Sequence, residues 1–291
     1  MASTIILKRR INSIKSTRQI TKAMQLVSAS KLRKAQLAAE SSRAYRIMAE
    51  DMLDKLARVS EINKSHYFKL PAVKQKIYVI ITSNSGLAGA YNSNVLKRLT
   101  SLIKQDHNDK IKVSVIVIGN KGAQFVRRLR EVDLLAVYNN FSEELSPEEI
   151  TPLLKLIKES FEASTDQEIY IIYNSFVSIV KQTVISSKLL PVSAKELTEN
   201  NAPVQTAFSF EPDVEAVLNE VANRLVQAQI WQSLVDSKAS EHAMRMIATK
   251  NATDNANDLI NDYTLELNTA RQAAITQELA EISGGAEALN N

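Results

Sequence analysis

The fold is decided by a long segment without helix breakers near the end of the chain. Its centre, residues 225–256, reads LVQAQIWQSLVDSKASEHAMRMIATKNATDNA, and the whole segment, residues 213–283, contains neither glycine nor proline. Alternating steps of three and four from Leu225 give sixteen positions, eleven of them apolar, over more than seven heptads. A repeat of this period predicts a left-handed coiled coil. We call these positions the seam: Leu225, Ala228, Gln232, Val235, Ala239, His242, Met246, Thr249, Thr253, Ala256, Ile260, Tyr263, Leu267, Ala270, Ala274 and Gln277.

A helix of this length needs a partner within the same chain. At ~1.5 Å per residue the 71 residues would extend on the order of 100 Å, which a compact globule of 291 residues cannot contain. One other segment, residues 1–70, is equally free of glycine and proline, and its apolar residues recur at helical spacing, as at Leu7, Ile11 and Ile14. We therefore predict an antiparallel two-helix coiled coil formed by the N- and C-terminal segments.

The ends of the second helix carry recognisable signals. Pro212 suits the first position of a helix, and the acidic residues on either side of it suit the first turn. Gly284 and Gly285 follow the repeat, where glycine commonly ends a helix. We expect the helix to run between these two signals.

Between the two segments the sequence alternates between strand and helix patterns. All six prolines and four of the six glycines lie between Pro71 and Pro212. The alternation predicts a Rossmann-like α/β domain with a largely parallel sheet. We predict strands at 77–82, 111–118 and 168–173, helices at 92–104, 122–130 and 147–163, and extended chain at 177–190. The predicted domains are the N-terminal helix (residues 1–70), the α/β domain (71–210) and the C-terminal helix (211–291).

Composition excludes several classes of protein. The long breaker-free segments exclude an all-β fold, and the absence of cysteine excludes a disulfide scaffold and a cysteine nucleophile. The sequence contains no run of 18 apolar residues, so it predicts no membrane span. The basic, serine-rich start has the composition of a mitochondrial transit peptide, but its helical pattern continues to about Val59, which favours a structural helix in a cytosolic chain.

Groups that could carry catalysis are scarce. The three histidines lack metal-ligand spacing, and His242 lies on the seam, where packing explains it. The loop from Ser83 to Asn92 follows a predicted strand and opens a helix, which is where phosphate binds in many proteins. It lacks, however, both the Gly-Lys-Ser/Thr ending of a nucleotide P-loop and the three-glycine dinucleotide fingerprint. We expect no catalytic residue, cofactor or metal.

Charge is divided between the two ends of the chain. Residues 1–50 hold eleven Lys or Arg against two acids, whereas residues 211–291 hold five against thirteen. The two segments can therefore partly neutralise each other. Alternatively, the basic helix could track a phosphate backbone, as in a coiled-coil nucleic-acid-binding protein with a basic helical arm. Residues 1–44 contain no aromatic side chain for base stacking, which weakens that alternative.

Three stretches of the two helices carry a family resemblance. Residues 14–31, IKSTRQITKAMQLVSASK, resemble the first helix of the γ subunit of F-type ATP synthases. Residues 237–256, containing SKASEHAMRM and NATDNA, and residues 270–282, ARQAAITQELAEI, are similar to the last helix of the same family. The resemblance covers the whole chain, including the loop with Gly86, Leu87 and Gly89.

The resemblance implies a non-catalytic function. In this family the coiled coil is the central shaft of a rotary motor, and it couples rotation of the membrane c-ring to the conformational cycle of the catalytic β subunits. The implied partners are three α and three β subunits, the ε subunit and the c-ring, with no nucleic acid and no cofactor. The implied location is the cytoplasmic face of the bacterial cell membrane, as a peripheral protein.

The resemblance also implies which residues contact the surrounding subunits. On the shaft, contacts to α and β subunits are expected at Lys8, Arg9, Lys22, Met24, Arg271, Gln272, Thr276 and Glu278, which we call the shaft contacts. In the α/β domain, the loop formed by Ser83, Asn84, Ser85 and Gly86 is expected near a β subunit. Many relatives carry an Asp-Arg pair and a cysteine where this chain has Asn84, Ser85 and Ala88, so this chain has no arginine to make that contact.

Overall fold

The computed structural model describes residues 2–57, 66–68, 72–142, 145–192 and 213–290. Two long helices flank an α/β region, and short 3₁₀ turns occur at His66–Phe68 and Pro147–Ile150. The elements in chain order are α1 (Ala2–Ala57), β1 (Gln75–Ile81), α2 (Tyr91–Asn108), β2 (Lys112–Ile118), α3 (Asn120–Val126), β3 (Asp133–Tyr138), α4 (Thr151–Glu162), β4 (Gln167–Phe176), β5 (Gln182–Leu190) and α5 (Val214–Asn290).

The chain forms two compact units. The first unit comprises Met1–Ala29 and Arg245–Asn291, and the second comprises Ser30–Met244. The domain boundaries predicted from the sequence, at 70–71 and 210–211, lie outside the described residues, so that division stays a prediction.

In the first unit the two helices pair antiparallel, as the seam predicts. The Arg10 guanidinium lies 5.9 Å from the centre of the Tyr263 ring. The Arg18 guanidinium donates to Asn257 Oδ1 at 3.2 Å, and the Thr253 hydroxyl donates to the Thr21 hydroxyl at 2.8 Å. The residue numbers of the contacting side chains therefore fall along α5 as they rise along α1, which is the antiparallel arrangement. Seam residues are buried in this unit at Thr249, Thr253, Ala256 and Ile260.

The ends of α5 differ from the sequence prediction. The Asp213 carboxylate accepts a hydrogen bond from the backbone N–H of Ala216 at 2.8 Å, so Asp213 caps the helix, while Pro212 lies outside the described residues. The expected stop at Gly284 and Gly285 is wrong, because α5 continues to Asn290. Glycine inside a helix costs only about 0.5–1 kcal/mol relative to alanine, and the sequence that follows, AEAL, consists of strong helix formers.

The second unit contains a five-stranded sheet in the order β3-β2-β1-β4-β5. Strands β1 to β4 run parallel, and β5 pairs antiparallel with β4 at one edge. The largely parallel sheet is therefore confirmed. The sequence prediction missed β3, extended α3 to 130 instead of Val126, and gave 177–190 as extended chain where Gln182–Leu190 is a paired strand.

Both faces of the sheet are covered by helices. On one face Ile77, Val79 and Ile81 of β1 belong to a core that includes residues of α4 and of α5, such as Leu153 and Leu225. On the other face the alternate residues of β1 belong to a core with α2 and α3. Because parallel strands buried on both faces read as continuous apolar runs, this arrangement explains the sequence IYVII in β1.

Candidate functional site

The eight shaft contacts all lie in the first unit. Three of the four on α1 are exposed, and the fourth, Met24, is half-buried. All four on α5 are exposed. The seam explains the second group, because Ala270 and Ala274 are half-buried towards the pair and the residues between them face outwards. The surface is therefore available to a partner along both helices.

Two shaft contacts already use part of their hydrogen-bonding capacity within their own helix. The Thr276 hydroxyl donates to the carbonyl of Gln272 at 3.0 Å, which leaves it as an acceptor for a partner. The Lys22 ammonium lies 3.4 Å from Gln25 Oε1. Arg271 offers five donors in a planar fork, and the side chain of Gln272 offers both donors and an acceptor. The region can therefore bind a carboxylate or a backbone carbonyl of a partner.

The pairing contacts of the first unit were not identified from the sequence. The seam predicted that Thr249 and Thr253 would be buried, but not that Thr253 would bond to Thr21 or that Arg18 would reach Asn257. A small polar residue facing the centre of a two-helix pair is the signal that could have found the threonine contact, since buried hydroxyl groups need partners.

The loop after β1 is fixed from within. Ser83 is only 1% exposed, and its backbone N–H donates to Asn92 Oδ1 at 2.9 Å. Its hydroxyl donates to the carbonyl of Ser85 at 2.6 Å. Asn84, Ser85 and Gly86 are exposed. Ser83 therefore supports this loop, and the three residues that follow present it to solvent.

Three asparagines tie together the ends of β1, β2 and β3. Asn84 Nδ2 donates to the carbonyl of Asn139 at 2.9 Å, and the backbone N–H of Asn120 donates to Asn84 Oδ1 at 3.0 Å. Asn139 Nδ2 donates to Asn120 Oδ1 at 3.1 Å. Because the carboxyl ends of parallel strands lie at one edge of a sheet, these side chains form one cluster. The sequence interpretation missed this role for Asn84.

The base of the same loop is tightly packed around Thr82. Gly119 has a φ of +98°, and a Cβ placed there would lie 2.1 Å from the Thr82 carbonyl oxygen. The Thr82 hydroxyl donates to the carbonyl of Ile118 at 2.8 Å and accepts from the backbone N–H of Gly122 at 2.9 Å. Glycine is required at position 119 because other residues rarely adopt this φ.

A cavity beside this loop is too small for a nucleotide. It has a volume of about 70 Å³ and is lined by residues that include Thr82, Asn84, Gly119, Tyr138 and Lys238. Pockets for small organic ligands measure roughly 300–1,000 Å³. The geometry therefore agrees with the sequence interpretation that the loop is a tight turn from strand to helix.

Charged groups at the opposite end of the sheet are paired. The Lys76 ammonium lies 2.6 Å from the buried Asp106 carboxylate, which also accepts from the Tyr78 hydroxyl. Burial, reinforced by Asp106, raises the pKa of Tyr78 far above its usual value. Lys188 and Glu168 form a similar pair beside Tyr170, whose pKa burial also raises, with Glu168 acting in the same direction. These groups therefore satisfy one another's charge and hydrogen-bonding capacity at this end of the sheet.

The fold is similar to that of chains in solved ATP synthase structures. A chain in the cryo-EM structure of the Tetrahymena thermophila mitochondrial ATP synthase central stalk and c-ring aligns with a TM-score of 0.64 and 24% identity, covering 80% of this chain and 99% of that one. A chain of the Euglena gracilis mitochondrial ATP synthase structure containing OSCP, F1 and the c-ring aligns with a TM-score of 0.70 and 17% identity, covering 99% and 95%.

Comparison of sequences is more specific. The ATP synthase family profile matches residues 3–289. The chain is 38% identical over 289 residues to the ATP synthase gamma chain of Desulforamulus reducens, covering 99% of this chain and 100% of that one. It is 40% identical over 294 residues to that of Macrococcus caseolyticus, with the same coverage. The chain therefore belongs to the ATP synthase family, as one of its gamma chains.

Proposed function

We propose that this chain is the central rotor shaft of a proton-translocating F-type ATP synthase, which couples rotation of a c-ring to the conformational cycle of the catalytic β subunits. The observation that carries the proposal is the antiparallel pair of the first unit, with small or polar residues inside and the shaft contacts outside. Gamma chains are non-catalytic subunits, so the chain is not itself an enzyme.

The two helices have the properties that a rotating shaft needs. They contain 56 and 77 residues, and no proline interrupts either of them. Sharp kinks in helices arise mostly at proline, so these helices lack the commonest cause of bending. Small seam residues such as Ala256 allow the two backbones to lie close together, which keeps the pair narrow. A narrow, unkinked pair can turn inside a ring of other subunits.

The proposed partners are three α and three β subunits, the ε subunit and the c-ring, at the cytoplasmic face of a bacterial cell membrane. Two gamma chains from bacteria match over the full length, and the structural neighbours come from assemblies that contain a c-ring, one of them together with F1. In the described part of the chain, no helix has the length and apolarity to cross a bilayer. A peripheral position, bound to the membrane sector through other subunits, agrees with this.

Arg271 and Gln272 are proposed to bind a β subunit in one rotary position only. A hydrogen bond to a charged group contributes about 1.5–3 kcal/mol, which biases one position without preventing rotation. In the second unit Asn84, Ser85 and Gly86 are proposed to face a β subunit, with Ser83 holding their backbone. Because Ser85 stands where many relatives have arginine, this contact uses neutral groups.

Purification tests the proposed assembly. The tagged chain is expressed with candidate α, β and ε subunits, and the stoichiometry of the purified complex is measured. We expect one copy of this chain with one ε and three copies each of α and β. Recovery of the chain alone would contradict the proposed assembly, and recovery with DNA or RNA that dissociates steeply as salt rises would support the nucleic-acid-binding alternative.

Mutation tests the shaft contact. We expect the Arg271→Ala/Gln272→Ala variant to assemble and keep its helical content but to show lower ATP hydrolysis or proton pumping. The matched control is Glu266→Ala/Asn268→Ala, two exposed residues of the same helix outside the shaft contacts. Turnover and pumping equal to wild type in the Arg271 variant would show that these residues are only a solvated face.

A further inference from the structure

The sheet of the second unit has a place where a ligand would be expected. From β1 the chain proceeds to β2 and β3 on one side, whereas β4 and β5 lie on the other side. The order in which the strands are added to the sheet therefore reverses between β1 and β4, although these two strands are parallel. In open α/β sheets small ligands bind in the crevice beyond the carboxyl ends of the strands at such a reversal.

In this chain α5 itself is bonded at that crevice. The hydroxyl groups of Tyr91, which begins the helix after β1, and Ser237 of α5 hydrogen-bond at 2.6 Å. Asn174, near the end of β4, donates from Nδ2 to the carbonyl of Tyr91 at 2.9 Å. The Ser240 hydroxyl donates to the carbonyl of Asn174 at 3.0 Å. We call these four residues the latch: Tyr91, Asn174, Ser237 and Ser240.

A second set of hydrogen bonds joins the same stretch of α5 to α1. On α5, Asp236 lies about one turn and Gln232 about two turns before Ser240. Gln232 Nε2 donates to Asp236 Oδ1 at 2.9 Å, and the Ser42 hydroxyl of α1 donates to Gln232 Oε1. All of these side chains are buried. One stretch of α5 is therefore hydrogen-bonded both to the sheet and to the neighbouring helix.

The latch is not explained by stability alone. Asn174, Ser237 and Ser240 are each 0% exposed, and the free-energy cost of burying their polar groups leaves only a small net gain from each hydrogen bond. Asn174 Oδ1 is moreover a buried side-chain atom without a hydrogen-bond partner among the described residues. Apolar residues would bury the same area without this cost. A function that needs directional bonds accounts for the polar residues.

Directional bonds resist movements that apolar contacts permit. The hydrophobic effect depends on area and not on direction, so a helix can slide or roll on an apolar face without a large change in buried area. A hydrogen bond weakens steeply when its angle falls below about 120°. Bonds from α5 to the ends of two elements of the α/β domain therefore oppose rotation of α5 about its own axis.

We infer that the latch fixes the rotational position of α5 against the sheet, so that torque applied to the α/β domain passes into the helix without slip. This inference rests on the proposed function as a rotor shaft. The latch residues act as positioning residues, because they act through α5. The crevice that holds a small ligand in other doubly wound sheets holds a helix of the same chain here.

The test removes both hydroxyl groups of one bond. The Tyr91→Phe/Ser237→Ala variant preserves shape and leaves neither partner with an unpaired group from that bond, so the fold is expected to persist. The matched control is Ser233→Ala, because Ser233 is also buried on α5 but its hydroxyl donates within the helix, to the carbonyl of Gln229. Ser240→Ala is a second variant of the latch.

The readout is torsional stiffness. The chain has no cysteine, so the exposed change Ser101→Cys on α2 gives one attachment point for a bead in complexes with cysteine-free partners. The α and β subunits are fixed to a surface, rotation is stalled with nucleotide, and the angular fluctuation of the bead is recorded. We expect broader fluctuation for the Tyr91/Ser237 variant and for Ser240→Ala, and wild-type fluctuation for Ser233→Ala. The melting temperature should stay near that of wild type in the double variant and fall by similar small amounts in Ser240→Ala and Ser233→Ala, because each of these two loses one hydrogen bond.

Unchanged fluctuation in folded latch variants would overturn the inference while leaving the shaft function intact. If the double variant does not assemble, Ser240→Ala decides by the same criterion. If the unmutated chain forms no rotating complex, the proposed function fails and the inference fails with it. Stiffness separates a positioning role from a structural one, because a structural role would change the melting temperature instead.

Discussion

In the first unit the buried positions hold mostly small or polar residues, such as Ser28, Thr253 and Ala256, whereas the centre of the second unit holds fully buried Val79 and Ile116. Burial of apolar area contributes roughly 25 cal/mol per Å², so a small or polar buried residue of the first unit contributes less than a buried valine or isoleucine of the sheet. Small side chains keep a two-helix shaft narrow, but they bury less apolar area and so contribute less to its stability. The first unit of this chain has mostly such side chains at its buried positions.

The difference implies two kinds of sensitivity to mutation. Side chains of the sheet are held by close packing on all sides, and a cavity there cannot easily collapse. The first unit can adjust the distance between its helices, because many of its side chains face solvent. Substitutions in the two units therefore test this comparison most directly. The spectroscopic probes of unfolding also differ between the two units. The single tryptophan, Trp231, lies against the core of the second unit.

The largest effect is expected for Leu99→Ala. Leu99 is 0% exposed between α2 and the sheet, and truncation of such a residue lowers the free energy of unfolding by about 2–5 kcal/mol. The measurement is urea unfolding of the isolated chain followed by Trp231 fluorescence. The matched control is Leu265→Ala in the first unit, where the leucine is 71% exposed, and the transition should hardly move. Equal shifts for both variants would contradict the comparison.

The same substitution at two glycines should have opposite signs. Gly119→Ala places a Cβ against Thr82 at a positive φ, and strain of this kind costs about 1–3 kcal/mol before the clash is counted. Gly284→Ala lies in α5 with no atom nearby and should stabilise the helix by about 0.5–1 kcal/mol. Trp231 fluorescence reports the first change and circular dichroism the second. Destabilisation by Gly284→Ala would show that the helix does not persist there.

A smaller effect is expected for Thr253→Val. Valine keeps the shape of the side chain, and Thr21 retains its own bond to the carbonyl of Arg18. Loss of one neutral hydrogen bond lowers stability by about 0.5–1.5 kcal/mol. Thermal loss of the helical signal measures this, with Thr269→Val as control. Both hydroxyl groups lie within hydrogen-bond distance of the carbonyl four residues earlier in α5, but only that of Thr253 also bonds to α1. A loss as large as that of Leu99→Ala would mean that the seam is packed as tightly as the sheet.

The smallest effect concerns acid stability in the second unit. The hydroxyl of Ser142, then the backbone N–H groups of Ser142 and Ser146, hold the pKa of Glu149 below its usual value. Because the folded pKa is the lower one, this stabilisation is present above the unfolded pKa, near 4.5, and is lost as pH falls through the folded pKa. We expect Glu149→Gln to reduce the fall in stability below that pH.

Ser142→Ala should reduce the same pH dependence without removing the carboxylate, and therefore serves as the complementary variant. Unfolding curves between pH 3 and 6, about the range over which a carboxyl group of this kind titrates, provide the measurement. An unchanged slope with pH in both variants would show that Glu149 contributes nothing to acid stability. A change confined to the helical signal of the first unit would contradict its assignment to the second.

The helices were predictable because their signals extend over long distances. A repeat kept over many heptads predicts burial at Thr249, Thr253 and Ile260, and the structure confirms it. The end at Gly284 was not predictable, because the cost of one glycine is smaller than the helix preference of the residues around it. Strand β3 was missed although residues 134–138, LLAVY, form an apolar run as long as IYVII in β1, because a short apolar run alone does not distinguish a strand from a segment of buried helix.

The candidate site was predicted unevenly for a related reason. Family membership was predicted from the end motifs and is confirmed. The internal bonds of Asn84, Asn120 and Asn139 connect loops that are distant in the sequence, and only the order of the strands brings them together. The latch has the same origin, since Tyr91 and Ser237 are 146 residues apart. Local patterns carry no information about such pairs.

The antiparallel pairing also determines when, during synthesis of the chain, the coiled coil can form. Arg18 and Asn257 are 239 residues apart, and synthesis at about 5–20 residues per second separates their appearance by on the order of 10–50 s. During that time the residues of α1 that are buried in the finished pair, such as Leu7 and Ile11, have no helix to cover them. A translation product that stops short of residue 245 keeps this surface open, so an unfinished chain can be distinguished from a finished one before either reaches a partner.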